Sequence, residues 1–271
     1  MIQRLPRLVT WAILTLVVIG PLYWLTASAF KDREEILRGT PTLWPQHPTL
    51  ANFRQLFSAT DYPSYLTNSF VIAVLTALFT VLVAFAAAYG LYRLRVPGGD
   101  KLAGAILVAY MIPGTLLLVP LYQAFAKVQL IDTRNALVIV NVAFTAPFCT
   151  WLLRGFFFAI PRDIDEAAAV DGAGPLRTML RIVLPLVGPG VATVAVYAFV
   201  FSWTEFVFAS QLIVSDDLKT LPIGLSAIMG QYTVNWGLLM AGTVCTVLPA
   251  IIPFLFAGRW FVGGLTAGAV K

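Results

Sequence analysis

Residues 165–185 read DEAAAVDGAGPLRTMLRIVLP, a polar and charged island in a chain that is 59% hydrophobic. Pro161, just upstream, is a favoured first helical residue, and Asp163, Asp165 and Glu166 fall in the turn that follows. Carboxylates there complement the positive end of a helix dipole. Ala167, Ala168 and Ala169 extend the helix, and their small side chains let another surface approach closely. Gly172 is placed to end it, because glycine readily takes the left-handed conformation at a helix terminus. Gly174 and Pro175 start a second helical piece, in which Arg177 and Arg181 are expected to share a face with Thr178. Pro185 closes the segment. The expectation for 161–185 is a short helix, a tight turn and another short helix at a membrane surface.

Outward from this island the chain is mostly hydrocarbon. Only 11% of its 271 residues are charged, against about one-quarter in soluble domains, and the mean hydropathy is +0.84. This composition implies an integral membrane protein and leaves no room for a large soluble domain. The net charge of +5 does not indicate a nucleic-acid partner, because the basic residues cluster at the ends of apolar runs. Cys149 and Cys245 lie inside such runs, where they read as small buried hydrophobes.

Six apolar runs, about 8–30, 68–92, 101–125, 136–158, 187–212 and 238–261, are each long enough to cross a hydrocarbon core roughly 30 Å thick. The fold class expected is an all-α integral membrane protein of one domain, 1–271, with six transmembrane helices. The first run has a rival reading as a signal peptide, since Ala27-Ser28-Ala29 resembles a cleavage site, but it exceeds the usual length of a signal core. Residues 31–66 form the longest polar stretch, rich in charge and proline, and carry the single histidine, His47, expected to be solvated. Prolines 113, 120, 147, 249 and 253 interrupt the runs, and membrane helices tolerate the freed carbonyls where neighbours satisfy them.

Lysine and arginine placement sets the orientation. Arg4, Arg7, Arg93, Arg95, Lys101, Arg154, Arg162, Arg177, Arg181, Arg259 and Lys271 fall on one side. Lys31, Arg33, Arg38, Arg54, Lys127, Arg134 and Lys219 fall on the other. The richer side is expected to be cytoplasmic, which places both termini and the 161–185 segment inside.

No phosphate-cradling Gly-x-x-x-x-Gly-Lys-Ser/Thr, no metal-ligand spacing and no nucleophile motif is present. No catalytic residue, metal or cofactor is therefore expected in the chain. Glu205, in Trp203-Thr204-Glu205-Phe206, is the one carboxylate within a run. Intramembrane carboxylates usually face a cavity or a partner, so Glu205 is a candidate for lining a pathway, with a position at the outer interface as the rival. Asn68, Gln123, Asn141 and Gln211 favour helix–helix hydrogen bonding, with Asn68 and Asn141 kept as pathway candidates. Trp24, Trp151, Trp203, Trp236 and Trp260 near the run ends read as an interfacial belt.

Glu166-Ala167-Ala168, three residues, Gly172, nine residues, then Ile182-x-Leu184-Pro185 resembles the EAA signature of bacterial ABC-importer permeases. The resemblance implies that the segment is a cytoplasmic coupling helix between spans four and five. There Glu166, Ala167, Ala168, Asp171 and Gly172 would meet a separate ATP-hydrolysing subunit. The ending Gly264-Leu265-Thr266-Ala267-Gly268-Ala269-Val270-Lys271 looks like the tail of the smaller permease subunits of maltose-type carbohydrate importers, which implies that Gly268 and Lys271 contact the ATPase. The loop containing Gly230, Gln231 and Tyr232 is similar to the one that reaches into the binding protein's pocket. Implied partners are a second homologous permease, two ATP-binding subunits carrying ATP and Mg, an extracytoplasmic solute-binding protein and the bilayer of the bacterial inner membrane. The implied activity is sugar or oligosaccharide import by alternating access. A polyol phosphate such as glycerol 3-phosphate, and an ion-coupled secondary transporter, stay open as alternatives.

Overall fold

A helix satisfies every interior backbone polar group within its own segment, as a bilayer requires. The computed structural model describes residues 4–94, 96–229 and 234–267, and no strand occurs among them. In chain order the first helices are α1 (Arg4–Ala29), α2 (Arg33–Leu37), α3 (Ala51–Ser58) and α4 (Tyr62–Ala88), whose end widens into a π turn at Tyr89–Arg93. Then come α5 (Gly99–Tyr110), a 3-10 turn at Gly114–Leu117, α6 (Leu118–Lys127) and α7 (Arg134–Phe158). The island supplies α8 (Asp163–Val170), α9 (Pro175–Thr178), a second π turn at Met179–Val183 and α10 (Leu184–Leu186). The remainder is α11 (Gly188–Trp203), α12 (Val207–Leu212), α13 (Leu221–Ile228) and α14 (Trp236–Ala267).

Four helical stretches are long and apolar enough to cross a membrane unbroken: Val9–Ala29, Tyr62–Arg93, Arg134–Phe158 and Trp236–Pro253. Two further candidates are bent pairs, Lys101–Tyr110 with Gly114–Lys127 at 84° and Pro175–Leu186 with Gly188–Trp203 at 79°. The number of spans is thus four, or up to six if each bent pair crosses once. The expected continuous third run, 101–125, is broken at Met111–Pro113. Proline lacks the N–H that would continue the ladder and disfavours helix in the residue before it. The expected fifth run, 187–212, stops being helical at Trp203 and resumes at Val207. The polar stretch 31–66, read as a loop, contains α2, α3 and the start of α4.

The chain divides into two compact units, Met1–Leu66 with Leu221–Pro249, and Thr67–Thr220 with Ala250–Lys271. In the first, the buried Asn52 amide donates to the carbonyls of Ala29 (2.9 Å) and Lys31 (2.8 Å), capping the end of α1. Asp32 accepts from the Glu35 amide at 2.6 Å and caps α2. Glu35 is buried, accepting from the Thr42 hydroxyl and from the Gln46 amide at 3.0 Å. The Thr42 bond, more than any other contact, holds its carboxyl below the usual carboxylate range. Tyr62 donates its hydroxyl to the Gly242 carbonyl at 3.0 Å. His47 is exposed.

The second unit is built on α4 from Thr67 onward, α7 and α11. Its core includes Phe85, Tyr89, Leu153, Phe157, Val183 and Val194. Buried polar pairs sit within it: the Thr80 and Thr145 hydroxyls are 2.7 Å apart, and the Asn141 amide donates to Ser202 at 2.9 Å. The Asn68 amide donates to the carbonyls of Asp217 (2.7 Å) and Lys219 (2.9 Å). Trp203, expected in an interfacial belt, is instead buried and stacked on Phe199 with ring centroids 5.5 Å apart. A second latch is Asp132, which sits at φ 59° and accepts from the Ser215 hydroxyl and from the amides of Val214 and Ser215, both at 2.9 Å. The Ser215 hydroxyl leads in lowering its carboxyl below the usual range. The stabilisation from the Glu35 and Asp132 latches is therefore complete above the ordinary carboxylate pKa and is lost as pH falls through the lowered one.

Close approach of α7 and α11 depends on Gly190. A Cβ placed there would lie 2.6 Å from the Phe156 ring, and small residues are what let membrane helices pack tightly. Gly190→Val should destabilise the protein by about 1–3 kcal/mol through overpacking. The check is the melting temperature in detergent, with Leu180→Val, an exposed site, as the unaffected control.

Candidate functional site

The 161–185 island forms the helix–turn–helix expected of it, and its anchoring comes from outside the segment. The Arg93 guanidinium, at the end of the α4 π turn, donates to the carbonyls of Ile160 (2.8 Å) and Pro161 (2.9 Å). Its Nε lies 2.5 Å from the Asp165 carboxylate. The arginine side chain is 5% exposed and the aspartate 30%. α8 begins at Asp163 rather than at Pro161, with Arg162 as its N-cap. Asp163, Asp165 and Glu166 occupy the first turn as expected.

The end of α8 is a Schellman turn. Gly172 sits at φ 76°, its amide donates to Ala169 at 3.1 Å, and the Ala173 amide donates to Ala168 at 2.8 Å. This is the glycine-dependent pattern that satisfies the last helical carbonyls. Gly174 caps α9 with Pro175 in its first turn. Thr178 does not share the exposed face with Arg177 and Arg181. It is buried, and its hydroxyl turns back to the Gly174 carbonyl at 3.3 Å.

The segment's exposure is divided by residue. Glu166, Ala167, Asp171 and Gly172 face outward, whereas Ala168 is buried. Val170 is 88% exposed, Leu176 65% and Leu180 47%. Leu176 and Leu180 border a shallow recess with Arg177 and Arg181. A short polar hairpin that leaves three branched apolar side chains uncovered has the character of an interaction surface.

Glu205 lies in the break between α11 and α12. Its two oxygens accept from the amides of Phe208 (2.7 Å) and Ala209 (2.9 Å), so it caps α12. It also borders a cavity of about 510 Å³ whose wall includes Tyr110, Pro113, Phe144, Phe201 and Thr204. Two helix discontinuities of the second unit, at Met111–Pro113 and at Thr204–Phe206, therefore open onto one space; the 79° bend before Gly188 does not. The pathway candidates Asn68 and Asn141 are not on it: both are buried, with their amides bonded to protein partners.

The expected tail residues Gly268 and Lys271, and the loop residues Gly230, Gln231 and Tyr232, lie outside the described residues. Two features escaped the sequence reading. Arg93 appeared only as one basic residue at a span end, and nothing local signals a partner at Asp165. The exposure of Val170, Leu176 and Leu180 was equally hidden, because an apolar residue in a short helix reads by default as packed.

Comparison with known proteins bears on what such a surface serves. Residues 101–265 match the family described as binding-protein-dependent transport system inner membrane component. The chain is 34% identical over 262 residues to the inner membrane ABC transporter permease protein YcjP of Escherichia coli, covering 96% of this chain and 94% of that one. It is 32% identical over 271 residues to the trehalose transport system permease protein SugB of Mycobacterium tuberculosis, covering 98% of each. Among solved structures, a chain of a bacterial ABC transporter involved in the import of the acidic polysaccharide alginate shares the fold. Its TM-score is 0.83 at 18% identity, covering 96% of both chains. On the family match over more than half its length and on relatives spanning nearly all of it, this chain belongs to the binding-protein-dependent transport system inner membrane components.

Proposed function

We propose that this chain is the permease subunit of an ATP-driven importer for a sugar or oligosaccharide delivered by an extracytoplasmic binding protein. It pairs with a second, homologous permease and two ATP-binding subunits, which carry ATP and Mg. Both termini and the 161–185 hairpin face the cytoplasm, and the spans number six, with each bent pair crossing once. The observation that carries this reading is the hairpin. It holds the EAA pattern on a rigid Schellman turn, presents Glu166, Ala167 and Val170, and is tied to α4 through Arg93. Such a surface suits a groove on a partner that moves.

The mechanism is alternating access. Closure of the ATPase dimer displaces the hairpin, Arg93 passes the displacement to the end of α4, and the π turn at Met179–Val183 passes it into α11. π turns recur at functional sites and mark places where helical register can shift. At the other end of α11, the cavity beside Glu205 offers aromatic rings, a hydroxyl and a carboxylate. Rings stack on sugar faces and the carboxylate accepts from hydroxyls. The trehalose name of the relative supports a carbohydrate solute. A carboxylate on the cavity wall disfavours an anionic polyol phosphate.

Three outcomes test this. In proteoliposomes holding the assembled complex, Gly172→Pro should reduce binding-protein-stimulated ATP hydrolysis to the unstimulated level, because proline cannot adopt φ 76°. Gly172→Asn, which tolerates the left-handed region, should keep most of it. Stimulation unchanged in Gly172→Pro would sink the coupling role. Arg93→Ala should lower ATP-dependent uptake several-fold, because the Ile160 and Pro161 carbonyls and the Asp165 carboxylate lose their shared donor. Basal ATPase activity should persist. Glu205→Gln retains one capping acceptor, so assembly should be normal while uptake of the cognate oligosaccharide falls several-fold; wild-type uptake would leave Glu205 as a helix cap alone.

A further inference from the structure

Beside the root of the coupling hairpin, the second unit contains a cavity of about 570 Å³ that no transport step above uses. Its wall includes Tyr92, Gly98, Gly99, Lys101, Phe158 and Arg162. Two cationic side chains, Lys101 and Arg162, line it, and both are exposed. The Arg154 guanidinium lies against the same wall, 5.2 Å from the Phe158 ring centre and 5.7 Å from that of Tyr92. Cation–π contact of this kind fixes a guanidinium without neutralising it. Arg93, by contrast, is already paired with Asp165.

A second observation gives the ligand its sign. The twelve-residue helix α5 starts at this cavity, and its N-cap, Gly98, sits at φ 79° with no side-chain cap. An uncapped helix N-terminus directs partial positive charge into the space and favours an anion. A third observation gives its size and surroundings. Leu94, Val96, Leu102 and Phe158 are all exposed next to the cationic wall, at the end of one candidate span (Tyr62–Arg93) and the start of another helix pair (Lys101–Tyr110). A free anion gains nothing from these apolar side chains. A molecule with an anionic head and hydrocarbon tails satisfies both halves of the site.

We propose that this cavity binds the phosphodiester headgroup of an anionic phospholipid, with its acyl chains along Leu94, Val96 and Leu102. Resting on the coupling reading above, we add that occupancy steadies the entry to α8. Arg162 is both a wall residue and the α8 N-cap, directly after the carbonyls that Arg93 holds. A lipid phosphate there neutralises Lys101 and Arg162 and fixes the chain where it enters the hairpin.

The test is native mass spectrometry of the detergent-purified complex titrated with phosphatidylglycerol. K101Q/R162Q should weaken phosphatidylglycerol binding at least about ten-fold, since each basic residue near an anionic surface contributes substantially to lipid attraction. The charge-conserving K101R/R162K should retain it, and Arg134→Gln, distant in sequence, should match the parent. In nanodiscs, raising phosphatidylglycerol over phosphatidylcholine should increase binding-protein-stimulated ATPase activity in the parent and not in K101Q/R162Q. Binding unchanged in K101Q/R162Q, or weakened equally by Arg134→Gln, overturns the site. Displacement of the lipid by millimolar inorganic phosphate overturns the lipid assignment in favour of a free anion. The binding readout does not depend on transport, so failure of the importer reading would leave it standing.

Discussion

The clamp between Arg93 and the start of the hairpin is the interaction on which the rest of the site depends. One guanidinium holds two backbone carbonyls and one carboxylate, and its planar fork makes it suited to three acceptors in fixed directions. By occupying the Ile160 and Pro161 carbonyls it holds the chain just ahead of α8, and by holding Asp165 it sets how α8 is turned. The outward presentation of Glu166, Ala167 and Val170 and the inward burial of Ala168 follow from that. The arginine itself sits at the end of the π turn that finishes α4. A nearly buried cation is costly to leave unpaired, and these contacts tie the end of α4 to the start of the hairpin.

The same unit carries a second organising constraint, the coincidence of two broken helices. Helix breaks expose backbone groups that hydrocarbon cannot satisfy, and they are tolerated where protein or a polar space takes over. Here Glu205 provides two acceptors for the first amides of α12, and the break at Met111–Pro113 faces the same cavity. The rigid neighbours, α7 and α11, are held by Gly190 and by the Thr80–Thr145 and Asn141–Ser202 pairs.

Much of this was legible in advance where the physics is local. The Schellman turn needs a glycine at one position, and Gly172 stands there. Carboxylates belong in a first turn, and α8 has three. Apolar length alone identifies membrane helices, which is why the four unbroken ones were found, two of them, Val9–Ala29 and Arg134–Phe158, within two residues of their ends. The misreadings have a common cause. Met111–Pro113 and Thr204–Phe206 were absorbed into continuous runs because composition does not distinguish a straight apolar helix from a bent one. Trp203 was assigned to an interfacial belt because sequence position near a run end does not reveal which way an indole points. Thr178 was put on the arginine face because an ideal helical wheel does not know that a π turn follows.

The sequence by itself determined the class of the protein, the helical character of its long runs and the helix–turn–helix at 161–185. Each of these rests on hydropathy, on proline and glycine geometry, or on residues a few positions apart. Tertiary structure alone decided that Arg93 reaches Asp165 across more than seventy residues, that two breaks share one cavity with Glu205, that the Asn68 and Asn141 amides meet Asp217, Lys219 and Ser202, and that Lys101 and Arg162 line one space. Those pairings depend on how helices distant in the chain come to lie side by side, and no local propensity encodes that.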